Sequence, residues 1–168
     1  VMSSIFGGAF SSYLNANLRE DKAYTYGARG GVRADNRVGS FNAGASVRNE
    51  VTDSSVTQFL FEMNHIINEK PSQADLDRIK NNMNGGFALS LENDQTIARF
   101  ALNIERYGLP KDYYQTYLSR LQNVQFADVE AAAKKYIHPE NCIILVVGNK
   151  DIAGTLTKFD SDGVVEFY

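Results

Sequence analysis

The chain has 168 residues, with 17 Lys and Arg against 20 Asp and Glu, a net charge of -3 at pH 7. That length predicts one domain, and the near-balanced charge without a Lys/Arg run excludes the footprint of a nucleic-acid or anionic-membrane binder. No apolar run approaches the roughly 20 residues of a membrane-spanning helix, no signal-peptide pattern is present, and Cys142, alone in an apolar run, can form no internal disulfide.

Val1 opens inside a helical pattern with neither a Met nor a capping residue ahead, so the chain reads as a piece of something longer. Met2, Ile5, Phe6, Ala9, Phe10 and Tyr13 recur at steps of three and four, the spacing of one helix face. Gly7 and Gly8 each cost that helix about 1 kcal/mol relative to Ala, which close packing of its backbone on a sheet would offset. A phosphate-cradling role is disfavoured, because no G-x-G-x-x-G or Walker-type Lys follows. From Ala23 the period changes to two. Tyr24, Tyr26, Ala28 and Val32 fall on one side of a strand running to Ala34, with Thr25, Arg29 and Arg33 on the other. A turn at Asp35-Asn36 leads to a second strand, Arg37 to Val47, which makes a hairpin. Here Phe41, Ala43, Ala45 and Val47 alternate with Ser40, Asn42, Gly44 and Ser46, so one face is buried and the polar, Gly-rich face can line a wet cavity.

The helical period returns at Thr52 with Val56, Phe59, Leu60, Met63, Ile66 and Ile67, and Pro71 closes it. Ser72, with Asp75 three residues on, caps a helix through Leu76, Ile79, Met83, Phe87 and Leu91. Asn84-Gly85-Gly86 predicts a bend or weak point in it. Helices are also expected over Ala98–Tyr107, stopping at Gly108-Leu109-Pro110, then over Tyr113–Leu121 and Asp128–Ile137. Cys142 to Val147 is a continuous apolar run ending at Gly148, which reads as a strand buried on both faces. Val164–Tyr168 is a candidate edge strand. Strands, then helices, then a strand indicate an α+β fold with an antiparallel-rich sheet under several helices. The organisation expected is a domain over 1–150 and a tail over 151–168.

Hydrolytic machinery is missing. The two histidines, His65 and His138, are far apart; a lone His among apolar helical residues is usually part of the packing, and His138 before Pro139 suits a helix C-terminus. The pairs Asp75/Asp77 and Glu50/Asp53 lie at helix starts, where capping explains them. No metal site and no Ser/His/Asp grouping can be assembled, so the chain is not expected to be an enzyme by itself.

The stretch Leu18-Arg-Glu-Asp-Lys-Ala-Tyr-Thr-Tyr-Gly27 resembles the Leu-Arg-Glu-x-x-Gly-x-x-Tyr signature of the pitrilysin and insulysin (M16) family of zinc metallopeptidases, which includes the mitochondrial processing peptidases. Ala23 stands where that family usually has Gly, a change expected to be tolerated if φ there is negative. The blocks Asp75–Lys80, Leu89–Asn93, Tyr107–Tyr114, Asp128–Tyr136 and Ile144–Gly148 follow in the family's order, and the resemblance runs from Phe10 to about Lys150. It implies the zinc-free half of such a peptidase, lacking its first strands. No cofactor is then expected in this chain. Zinc, held by His-x-x-Glu-His, belongs to a partner half in the same polypeptide or another subunit. The resemblance also implies that Arg19 and Tyr26 hydrogen-bond a peptide substrate across a closed chamber, with Asn42 and Ser40 lining the same cavity. Two other readings stay open, a catalytically inactive assembly subunit of the same fold and a free-standing binding module.

Overall fold

The computed structural model describes residues 1–34 and 37–167. The turn expected at Asp35-Asn36 lies outside the described residues. The single opening helix expected through Tyr13 is instead two helical segments, Ser4–Gly8 and Asn15–Asp21, both widened to i→i+5 hydrogen bonding. They are separated because Ala9 is extended, with φ -97° and ψ 158°. Ile5, Phe6, Leu14 and Leu18 still reach the core. Phe10 falls in the break and is 72% exposed, not on the apolar face.

Strand β1, Ala28–Ala34, pairs antiparallel with β2, Gly39–Ala45, in a register that sets Ala28 opposite Ala45 and Val32 opposite Phe41. Opposed residues share a face. Ala28, Gly30, Phe41, Ala43 and Ala45 therefore face the opening helical segments, with Phe6 and Phe41 ring centroids 5.1 Å apart. Arg29, Gly31 and Arg33 share the outward face with Gly44, Asn42 and Ser40. The strand expected from Ala23 begins only at Ala28. Ala23 adopts φ +52°, so the condition under which Ala is tolerated there without strain is not met. The Thr25 hydroxyl then donates to the Gly27 and Ser46 carbonyls and accepts the Gly27 N–H, closing a local turn. The Ala28 N–H donates to Asn15 Oδ1 at 2.8 Å, which pins the start of β1 to the helical segment before it.

The helices follow their period and caps. α1 (Thr52–Asn68) places Ile66 against Leu76 and Ile79 of α2 (Gln73–Ser90) and Val129 and Ala133 of α5 (Phe126–Tyr136), with Ile137 beyond it, in one core. Ser72 caps α2, its Oγ accepting the Asp75 N–H and donating to Asp75 Oδ2. α2 runs through Asn84-Gly85-Gly86 as helix, and stacking of Phe87 on Phe100 and Tyr117 supports the turn beyond the glycines. α3 (Asp94–Tyr107) ends at Gly108, whose φ of 59° is the left-handed stop that glycine favours. α4 (Tyr117–Asn123) starts four residues later than expected, because the Tyr113 and Thr116 N–H groups bond Pro110 and Asp112 in turns first.

The C-terminal expectation needs correction. Cys142–Val147 forms no strand, and Ile143, Leu145 and Val147 are almost fully exposed. A strand is defined by its ladder, and no described residue pairs with this run. Residues 150–159 form helical turns, including α6 (Ala153–Leu156), and residues 164–167 pair with no strand. Lys158 ties this tail to the start of α1 through Asp53 at 2.9 Å.

Candidate functional site

Arg19 lies in the last turn of Asn15–Asp21, ahead of the loop into β1. Its guanidinium carbon sits 4.4 Å from the centroid of the Phe10 ring, and Nε is 3.5 Å from Glu20 Oε1. A cation over an exposed ring is stabilised by about 0.5–1 kcal/mol. The break at Ala9 thus turns Phe10 outward as a platform that limits the directions Arg19 can take. Glu20 lies against Nε alone, so the four N–H donors of the two terminal nitrogens face a ligand without competition from it.

Tyr26 is the most exposed large hydrophobic side chain of the described residues, at 101%, and its hydroxyl makes no hydrogen bond among them. Its loop is nevertheless held at several points. The Tyr24 N–H donates to the Leu18 carbonyl at 2.8 Å, Arg48 Nη1 to the Ala23 carbonyl at 3.1 Å, and Thr25 Oγ1 to the Ser46 carbonyl at 2.8 Å. The phenol is therefore free while its backbone is anchored. Asn15, Thr25 and Arg48, which do the anchoring, and Phe10 were not identified from the sequence. None sits in a pattern that signals such a role, since each acts through a contact that is 9 to 25 residues distant in the chain.

Asn42 Nδ2 donates to Ser40 Oγ at 2.9 Å on the outward sheet face. No hydrogen bond among the described residues links this pair to Arg19 or Tyr26. The structure thus places Arg19 with Phe10 and Ser40 with Asn42, and leaves Tyr26 to solvent.

His65 is absorbed into packing. Its Nδ1 is 2.9 Å from Glu62 Oε2, Nε2 is 3.5 Å from Glu69 Oε2, and the ring stacks on Tyr13 at 4.7 Å. Buried Glu62 also accepts from Asn17 Nδ2 at 2.6 Å. Burial, then the charges of Asp75, Glu62 and Glu69, push the Tyr13 hydroxyl up to about 12. His138 is occupied by the Lys135 carbonyl and Glu140. Among the described residues no three His, Cys, Asp or Glu side chains are grouped to hold a metal ion. The residues present do not fit a catalytic zinc, which needs three protein ligands.

A helical pair packed on an antiparallel hairpin, followed by a helical layer, defines an α+β domain. Residues 1–83, just under half of the chain, match the profile of the Peptidase M16 inactive domain. The fold is similar to the peptidase M16 inactive domain from Pseudomonas fluorescens, with a TM-score of 0.76 and 23% identity over 82% of this chain and 33% of that one. It is similar to a putative zinc protease from Bordetella pertussis Tohama I, with a TM-score of 0.67 and 16% identity over 81% and 74%. It is also similar to a chain of Complex III2 from Candida albicans, with a TM-score of 0.64 and 16% identity over 80% and 34%. The chain therefore spans about a third of the Pseudomonas and Candida chains. No curated relative matches the sequence.

Proposed function

We propose that this domain is the substrate-holding, chamber-closing half of a zinc-dependent metalloendopeptidase, with the metal and its water supplied by a second half. What supports this reading is that a stacked, permanently charged Arg19 and an exposed Tyr26 on an anchored loop flank the same helix-to-strand junction. Guanidinium and phenol are both donors suited to peptide carbonyl oxygens. Donors that reach the position of the developing oxyanion stabilise its charge. Ser40 and Asn42 lie farther along the polar sheet face, opposite Arg33 and Gly31, and would contact side chains of the bound peptide.

The test is kcat/KM of the complete peptidase, zinc half included, for Arg19→Ala, Tyr26→Phe and the double variant. Each single should lose roughly ten- to several-hundred-fold, with zinc content and Tm unchanged. The double should lose less than the sum in free energy if the two act as a unit. Near-normal rates in both singles would instead favour a second reading, an inactive assembly subunit, which the likeness to a Complex III2 chain supports at the level of fold.

A further inference from the structure

The outward face of the β1–β2 hairpin carries two arginines and no acid. Arg29 and Arg33 lie on it four residues apart, opposite Gly44 and Ser40, with Gly31 and Asn42 between. Both arginines are exposed, as are Ser40, Asn42 and Gly44, and a Cβ on Gly44 would meet nothing within 4 Å. Neither guanidinium has a hydrogen bond, ion pair or ring contact among the described residues. By contrast, Arg19, Arg48, Arg78, Arg99 and Arg120 each engage a group of the fold. No Asp or Glu occurs in Ala28–Ala34 or Gly39–Ala45. The chain as a whole carries a net charge of -3, so this positive face is a local feature and not a reflection of composition.

We propose that this face holds the acidic side chains of an extended peptide, with one carboxylate on Arg29 and a second, four residues along, on Arg33. The inference rests on the substrate-holding reading above and adds a substrate class to it. Arg29 follows Tyr26 by three residues, so a peptide bonded at the helix-to-strand junction and continuing along β1 runs onto the two arginines. Strand residues four apart stand about 13 Å from each other, and an extended peptide repeats that spacing on one of its own faces. A guanidinium with its donors unengaged suits a carboxylate in bidentate geometry. Gly31, between the arginines, and Gly44, opposite Arg29, add no side chain to the floor, which leaves room for the peptide backbone. A nucleic acid fits less well, since no aromatic residue on this face is available to stack on a base.

The test is fluorescence-anisotropy binding, to the full-length protein, of one labelled peptide in two forms, with Glu at two positions four apart and with Gln at both. A chelator is present so that no cleavage intervenes. The Glu form should bind roughly two- to thirtyfold tighter, the range that two exposed ion pairs span, and added salt should erase the difference. Arg29→Gln with Arg33→Gln should abolish the preference. Arg29→Glu with Arg33→Glu should transfer it to a peptide carrying Lys at the same positions. Equal or undetectable binding of the Glu and Gln forms to the wild type, or a Glu preference that survives in the Gln variant, overturns the proposal. So does a single-stranded oligonucleotide that binds more tightly than the Glu form and loses its affinity in that variant. Cleavage of the same peptides with metal restored reports on the peptidase reading separately. A Glu preference in binding without any cleavage keeps the acidic-peptide face and removes the peptidase.

Discussion

Gly7 and Gly30 touch backbone to backbone. A Cβ on Gly7 would stand 2.8 Å from the Gly30 Cα, with the Gly30 nitrogen closer still, and a Cβ on Gly30 would stand 2.7 Å from the Phe6 ring. This contact seats the first helical segment on β1 and compensates for a glycine within a helix. Neither backbone can yield, so Gly7→Ala should destabilise by about 1–3 kcal/mol or more. Gly86 is the contrasting case, since a Cβ there meets nothing within 4 Å in a continuous helix. Gly86→Ala should stabilise by roughly 1 kcal/mol. Denaturant midpoints of the two variants decide it, and similar shifts would contradict the close approach.

Ala23, at φ +52°, holds a conformation that costs a residue with a Cβ about 1–2 kcal/mol. Ala23→Gly removes that strain at the expense of some chain entropy in the unfolded state. A net gain of about 0.5–1 kcal/mol is expected, read as a rise in Tm. A loss of stability would show that φ is negative in solution.

Phe10 is exposed, so its ring contributes little to the core, but it supports Arg19. Phe10→Ala should leave Tm within about 1 °C, a shift of a few tenths of a kcal/mol. Under the proposed substrate-holding role it should lower kcat/KM of the assembled protein several-fold, in keeping with loss of about 0.5–1 kcal/mol of cation–π contact. An unchanged kcat/KM would separate Arg19 positioning from Phe10.

Tyr13 sets an alkaline limit. Its hydroxyl is pushed from 10 up to about 12, by burial first and then by Asp75, Glu62 and Glu69. The folded state holds the proton more tightly than the unfolded state. Stability from this group is therefore complete below pH 10 and is lost as pH rises through about 12. Tyr13→Phe keeps the ring stacked on His65 and removes the titration. Melting temperatures from pH 9 to 12 should fall more steeply for the wild type than for the variant, and parallel curves would refute the assignment.

Much of this architecture was legible from local signals. Helix periodicity, the Ser72–Asp75 cap and the glycine stop at Gly108 act within three or four residues, so α1, α2, α3 and α5 and the β1–β2 hairpin follow from the chain read in order. The signature around Arg19 and Tyr26 is local in the same sense, and it pointed to the family. The late start of β1 was decided by contacts across the fold, Asn15 with Ala28 and Thr25 with Ser46. So was the exposure of Phe10, turned outward where the opening helix breaks. Cys142–Val147 shows the limit most plainly. Its composition is that of a buried strand, but composition specifies only a capacity to pair. Whether six apolar residues become a strand depends on a neighbouring edge within about 4.8 Å, and that is a property of tertiary structure alone.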